Sequence, residues 1–517
     1  MSDKPPYFVT TAISYPNGRP HIGHAYEAIA TDWLARFARL DGRRTFFMTG
    51  TDEHGLKIAQ SARARGLEPR AFVDEMSSAF REMDDRLQIS YDRFIRTTDP
   101  DHRVTAQALW ARMEAAGDLY LGRYEGWYSM RDEAYYDEED LVAGEDGVRR
   151  APTGTEVAWT VEESWFFRLS RYQQALLDLF DRQPDFVGPP SRMNEMRAFV
   201  ARGLQDLSVS RTSFDWGVAV PGAPGHVMYV WLDALANYLT PTGFPAPGWD
   251  GLWPADLHVI GKDVVRFHAI YWPAFLMSAG LPLPRRVFGH GFLLNRGEKM
   301  SKSLGNVVEP GGLAELYGVD PLRYFLLRAI AFGNDGDWNH EAIIRRVNAD
   351  LANDFGNLAQ RTLTMIAKAC NGLVPAPGPV DPADAALAAG LAGLPDRCRA
   401  AHAEVRPDLA LDAIWEQVGA VNQYLSDTAP WALRKSDPAR ADSILYHAAD
   451  AIRQLAILVQ PAMPGRAGQL LDLLAVPGEA RGLAAYPQRL VPGTALPPPV
   501  GLFPRLELPL AEGEAAA

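Results

Sequence analysis

The sequence predicts an α/β protein, a Rossmann-like parallel-sheet domain split by an inserted domain and followed by an α-helical bundle. Three observations lead there. A strand, loop, helix and second strand follow one another at the start of the chain; aromatic and acidic sequence then breaks the pattern; and beyond Val347 nearly every segment is helical in period and rich in Ala and Leu.

Taken in order, residues 7–13 read as a buried strand, and the turn-rich run Ser14-Tyr15-Pro16-Asn17-Gly18-Arg19-Pro20 leads into a helix. Ala25, Ile29, Trp33 and Phe37 recur every four residues, so they share one face of that helix. A turn at Asp41-Gly42 precedes a second strand, residues 45–49, which ends at Gly50-Thr51-Asp52. This order is a βαβ unit and implies a parallel sheet. Residues 1–117 are therefore expected to form the first half of the catalytic domain. Residues 118–225, Gly/Pro-punctuated and carrying Trp127, Tyr128, Tyr135, Tyr136, Trp159 and Trp165, are expected to be the insertion. The catalytic domain then resumes over 226–290, with strand-like segments at 226–231 and 257–261. A linking region, 291–346, carries a lysine loop, and 347–517 forms the helical domain, broken by loops such as Pro375-Ala376-Pro377-Gly378-Pro379. No period of 20–50 residues appears, so a solenoid is not expected.

At 517 residues the chain exceeds one ordinary core and suggests three or four units. Hydrophobic residues at 47% and charged residues at 22% fit a soluble globular protein. The first residues lack the basic stretch and apolar run of a secretory signal, and no run approaches eighteen apolar residues, so a cytoplasmic protein with no membrane association is expected. Two cysteines, Cys370 and Cys398, are too few for a disulfide scaffold or a four-cysteine zinc knuckle. A net charge of −13 argues against a nonspecific nucleic-acid binder but not against a specific RNA partner. Arginines at 192, 197, 202 and 211, and again at 345 and 346, suggest local basic surface on an acidic body.

His21-Ile22-Gly23-His24 falls where the loop after the first strand enters a helix, the place where an α/β sheet collects phosphates. Two imidazoles three residues apart can face one anion there, the helix end attracts it, and Gly23 lets it approach the backbone. Lys299-Met300-Ser301-Lys302-Ser303, with glycines at 297 and 305, suits a mobile clamp on a triphosphate. Either motif alone has an ordinary reading, as a helix start or a solvated lysine loop. Together they point to a nucleotide.

The pair resembles the two nucleotide-binding signatures of class I aminoacyl-tRNA synthetases. Residues 11–18 (TAISYPNG), 50–55 (GTDEHG), 229–234 (YVWLDA) and 260–268 (IGKDVVRFH) narrow the resemblance to methionyl-tRNA synthetases, and it extends from Tyr7 to about Trp431. It implies an ATP-dependent methionine–tRNA ligase: L-methionine and ATP give methionyl-adenylate and pyrophosphate, and methionine then passes to the 3′-terminal adenosine of tRNA(Met), initiator and elongator. The implied catalytic residues are His21, His24, Lys299 and Lys302, with Gly23 and Ser301 also contacting ATP and Mg2+ accompanying the nucleotide. The implied methionine site comprises Ile13, Tyr15, Asp52, Trp231, Ala234, Leu235, Tyr238, Val264, Phe267 and His268. The Tyr15 hydroxyl and the Ile13 backbone N–H would meet the thioether, and Asp52 the ammonium. Physical reading agrees, since an apolar pocket with a few polar tips suits a thioether, although each aromatic taken alone reads more readily as core than as pocket.

Members of this family usually carry zinc knuckles in the insertion, but here no cysteine precedes Cys370, and Ser129 stands where zinc-bearing relatives would place one. The chain resembles the zinc-free branch, and no metal site is expected. The acidic run 137–140 reads as a solvated face, and 335–346 fails as a calcium loop because His340 and Arg346 occupy its glycine and closing-glutamate positions. In the bundle, Asn353, Asn357 and Arg361 fall at i, i+4 and i+8, hence on one helix face, and Pro430-Trp431 offers a stacking platform for an unstacked base. A solvated face and a core tryptophan account for the same residues; the resemblance makes them the anticodon-reading positions. A monomer is expected. Two rival readings are a sibling synthetase for isoleucine, valine, leucine or cysteine, and a noncatalytic tRNA-binding protein retaining the fold. The absence of a large editing insertion, the scarcity of cysteine and the intact phosphate motifs weigh against them.

Overall fold

A computed structural model of the protein describes residues 4–129, 134–136, 138–144, 147–295, 297–299 and 308–508. Its central sheet has six strands in the order Arg93–Arg96, Thr45–Thr51, Tyr7–Thr11, Leu257–Gly261, Val287–His290 and Val187–Gly188. Every pairing in it is parallel. Successive side chains of a strand point to opposite faces, and both faces here are buried. Tyr7, Val9, Phe47, Leu257, Val259 and Phe288 enter one core, while Phe8, Met48, Ile95, Ile260 and Val287 enter another. The first core continues without a break into the helical bundle, through Trp33, Phe37, Leu322, Phe355, Trp415 and Leu455.

Ala25, Ile29, Trp33 and Phe37 are all buried on the helix Ile22–Leu40, which crosses from the first strand to the second. Strand order reverses between Tyr7–Thr11 and Leu257–Gly261, and such a switch point opens a crevice at the carboxyl ends of the strands.

Two expected features take another form. Residues 226–231 do not rejoin the main sheet: Val227–Met228 pairs antiparallel with Ser210–Arg211, and helix Val230–Ala236 begins directly after Tyr229. A short apolar run cannot by periodicity distinguish strand from buried helix. The main sheet instead resumes at Leu257. Between residues 118 and 225 lies a second sheet, built on the long antiparallel pair Leu119–Ser129 and Ala158–Phe167, yet Val187–Gly188 from the same stretch returns to the main sheet.

The arginine group also differs from expectation. Arg211 is buried, bonded to Ser208 and Ser210 and placed over the Tyr229 ring, while Arg192 and Arg197 pair with Glu195 and Asp181. These three do not make an open basic patch.

Candidate active site

The loop after the first strand is held from both sides. Ser14 N–H donates to the Gly50 carbonyl at 2.8 Å, and Asp52 N–H donates to the Ser14 carbonyl at 2.9 Å. On the other flank Ala12 N–H donates to Val259 at 2.9 Å. Ile13 and Tyr15 are thereby set between the Asp52 loop and the segment following Ile260. The Asp52 side chain is nearly covered, at 7% exposure.

Across the crevice, Trp231 and Phe267 stack with ring centroids 3.7 Å apart and planes 6° apart. Ile13, Tyr15, Trp231, Val264 and Phe267 are partly buried and lean on one hydrophobic core that includes Leu235 and Tyr238, and Ala234 is buried beside them in sequence. His268 is held through both nitrogens: Nδ1 donates to the Val264 carbonyl at 3.0 Å, and Nε2 lies 2.6 Å from the Tyr238 hydroxyl, which donates to it. Burial lowers the His268 pKa to about 4, against the opposing pull of the Val264 carbonyl, so the ring is neutral at neutral pH. Phe267 and His268 open a short π-helical stretch, Phe267–Tyr271, rather than a regular α-helix. Such stretches recur at functional sites.

His21 is the N-cap of the helix Ile22–Leu40. Its Nδ1 accepts from Gly23 N–H at 3.1 Å, and His24 Nδ1 accepts from His21 N–H at 3.1 Å, completing a reciprocal capping box. With Nδ1 the acceptor on both rings, Nε2 carries the proton on each neutral imidazole. The rings lie 3.9 Å apart. His24 shares a small cavity with Thr11, Ser14, Glu27, Thr49 and Gly50 at the ends of the first two strands. Lys299 closes the hairpin Leu293–Asn295 with Glu298–Lys299, and Ser301 and Lys302 lie outside the described residues.

Sequence reading missed two buried pairings. Glu27 accepts from His290 Nε2 at 2.8 Å; burial raises the pKa of the carboxyl, while burial, which lowers that of the imidazole, is outweighed by Glu27 together with the Gly291 carbonyl and Asp263. Asp233, two residues after Trp231 on the same helix, is fully buried, with His54 Nδ1 at 2.6 Å on one oxygen and His102 Nε2 at 2.6 Å on the other. Burial would raise its pKa, but His54 and His102 together hold it well below the usual carboxylate range. The available signal was a charged residue inside an apolar run, Val230-Trp231-Leu232-Asp233-Ala234.

In the bundle, Asn353 lies in a π-helical stretch, Val347–Gly356, and Asn357 opens the α-helix Asn357–Ala369. Both are exposed. The three expected residues therefore span a junction of two helix types rather than one regular face. Trp431, 51% exposed on the short helix Pro430–Leu433, is brought to Arg361, whose guanidinium lies 5.6 Å from the indole centroid.

A parallel sheet with a switch-point crevice, a histidine motif capping the first helix and a helical bundle packed on the same core define a class I aminoacyl-tRNA synthetase. The family model described as tRNA synthetases class I (M) matches residues 7–146 and 148–363, and that of the anticodon binding domain of methionyl tRNA ligase matches 374–508. Methionine–tRNA ligases of Mesorhizobium japonicum and Mycobacterium tuberculosis are each 56% identical, over 96% of this chain and 97% of the first relative, and over 98% of both chains for the second. The structure of Mycobacterium tuberculosis methionyl-tRNA synthetase in complex with methionyl-adenylate superposes with a TM-score of 0.95 at 56% identity, covering 97% of this chain and 100% of that one. The apo form of the same enzyme gives 0.89 at 52% identity, covering 98% and 99%. This chain belongs to the methionine–tRNA ligase family, and its activity is ATP-dependent ligation of methionine to tRNA.

Proposed function

We propose that both half-reactions take place in the crevice between Tyr7–Thr11 and Leu257–Gly261, with the residue roles that follow. Supporting this reading is the convergence of Ile13, Tyr15, Asp52, Trp231, Phe267 and His268 on that one switch point, beside the His21/His24 cap. Methionine's side chain lies against the Trp231/Phe267 stack, among Ala234, Leu235, Tyr238 and Val264, and its ammonium is met by Asp52. A neutral His268 suits a thioether, since an imidazolium would carry an uncompensated charge into an apolar pocket.

The carboxylate attacks the α-phosphorus of ATP and pyrophosphate leaves. No protein nucleophile is needed, so the rate rests on positioning and on donors aimed at developing charge. The Nε2–H groups of His21 and His24 supply such donors, Gly23 allows close approach, and Lys299, Ser301 and Lys302 complete the clamp on the phosphates. Magnesium enters with the nucleotide as part of the substrate, and no group of three His, Cys, Asp or Glu able to hold a metal occurs among the described residues. The terminal adenosine of tRNA then takes the aminoacyl group.

Asn353, Asn357, Arg361 and Trp431 are proposed to read the methionine anticodon, CAU, in initiator and elongator tRNA. The exposed indole beside a guanidinium favours this, because stacking serves any base while amides add hydrogen-bond readout. A monomer working in the cytoplasm, without structural zinc, completes the proposal. No helix among the described residues is long and apolar enough to cross a membrane.

ATP–pyrophosphate exchange across amino acids tests the pocket. Methionine should be preferred, and norleucine should be activated weakly, since an apolar pocket separates near-isosteres by only about 1–3 kcal/mol. Preference for another amino acid would overturn the assignment.

A further inference from the structure

We infer that Asp233, clamped between His54 and His102, is a positioning residue that sets the Asp52 loop against the Trp231 helix and so fixes the affinity for methionine. The inference rests on the reading of Asp52 and Trp231 given above and adds the link between them.

The two elements come from distant parts of the chain. Asp52 lies just past the strand Thr45–Thr51, and Trp231 is in the helix Val230–Ala236. The Asp52 loop is already tied to its own side of the sheet. Glu53 pairs with Arg96 at 2.6 Å and accepts from Thr51 and Thr98, and Trp216 Nε1 donates to the Glu53 carbonyl at 2.7 Å. These bonds orient the loop but do not reach the Trp231 helix. His54, two residues after Asp52, does: its Nδ1 meets Asp233 Oδ2 at 2.6 Å, while its ring packs edge-on against Trp216 with centroids 5.4 Å apart.

On the far side, His102 from the helix Pro100–Ala115 meets Asp233 Oδ1 at 2.6 Å and Thr240 Oγ1 at 3.1 Å. The carboxylate is thus gripped from two directions. It is completely buried, as is His102, and His54 is nearly so. A buried carboxylate with an N–H on each oxygen has one low-energy position, because losing either donor leaves charge uncompensated in a poor solvent. Fixing Asp233 therefore fixes the spacing between the group proposed to bind the ammonium and the ring proposed to cover the side chain.

The test is ATP–pyrophosphate exchange on full-length variants, with KM for methionine, KM for ATP and kcat measured separately and folding monitored by melting temperature. Asp233→Asn keeps the shape but sets an amide N–H against one of the two donors. It should raise the methionine KM about tenfold or more, with kcat and the ATP KM within about twofold. His54→Leu, nearer the surface of the network, should do the same and serves if Asp233→Asn does not fold. His54→Asn returns a donor at the Nδ1 position and should bring the methionine KM back to within about threefold of the parent value. A structural role alone would not give that split or that rescue. Equal methionine KM in the parent protein and His54→Leu, or kcat and both KM values deteriorating together in His54→Leu with no rescue by His54→Asn, would overturn the inference. Asp52→Asn is run alongside. If it leaves the methionine KM unchanged, the reading of the ammonium site fails; if it raises KM while His54→Leu does not, only the positioning role fails.

Discussion

His268 is buried against Tyr238, with its Nδ1–H committed to the Val264 carbonyl, and burial lowers its folded pKa to about 4, below the ordinary imidazole value of 6.5. As pH falls the unfolded chain takes up this proton before the native one does. The native state therefore loses about 1.4 kcal/mol per pH unit from this group between its unfolded and folded pKa values. Denaturant titrations of the parent protein and His268→Gln should show their stability difference shifting by about that slope over the window, against the parent. A difference independent of pH would mean that the native ring is already charged. In the lysine loop, Lys302→Ala should lower the adenylation rate about 100-fold or more while leaving methionine affinity nearly intact, as expected for a donor acting on transition-state charge. Rapid-mixing kinetics separates the two quantities, and a wild-type rate with weakened methionine binding would contradict the role.

At the scale of elements, the helices of the bundle carry the proposed anticodon reader. Ala429 adopts φ 41°, a left-handed conformation costly for a residue with a Cβ, and from this turn the short helix Pro430–Leu433 holds Trp431 beside Arg361. Stacking of one base is worth about 1–3 kcal/mol, so Trp431→Ala should weaken productive tRNA binding roughly ten- to a hundredfold with adenylation nearly unchanged. Loss of Asn357 should instead relax discrimination among anticodon bases, read by charging of anticodon-substituted tRNA. Normal charging by a folded Trp431→Ala, or equal loss of adenylation and charging, would remove this role. The individual residues were legible in the sequence, but their arrangement was not. Periodicity does not separate the π-helical turn Val347–Gly356 from an α-helix, and nothing local links Trp431 to Arg361. Val187–Gly188 is too short to show any period, so its place in the main sheet was hidden. The histidine motif proposed to meet phosphate could be picked out because its residues are contiguous and its setting, strand to loop to helix, is local. The partners of Asp233 lie 179 and 131 residues away, beyond the reach of any local pattern.

Across the whole molecule, catalytic sheet and bundle share one core and several polar ties. Arg323, fully buried, reaches Asp32 on the first helix at 2.6 Å and the Leu87, Pro461 and Ala462 carbonyls, while His402 of the bundle stacks on Phe37. The second sheet enters the other core through Leu119 and Phe167 and adds aromatic contacts of its own, with Trp127 against Trp159, Arg149 over Trp127 and Tyr120 stacked on Phe166. Ser129, expected where zinc-bearing relatives place a cysteine, is bonded to the Thr155 hydroxyl at 2.8 Å. Chelator-treated protein should accordingly keep full activity, and tightly held stoichiometric zinc whose removal abolishes activity would refute that. The central claim is that one switch-point crevice divides its labour, with His24 acting on phosphate charge and Trp231 on methionine. Pre-steady-state adenylate formation by His24→Ala and Trp231→Ala tests it most directly. The account predicts that His24→Ala lowers the maximal rate about 100- to 1,000-fold with methionine affinity nearly unchanged, and that Trp231→Ala weakens methionine affinity far more than the rate at saturation. The reverse pattern, or equal loss of both quantities in both variants, would contradict it.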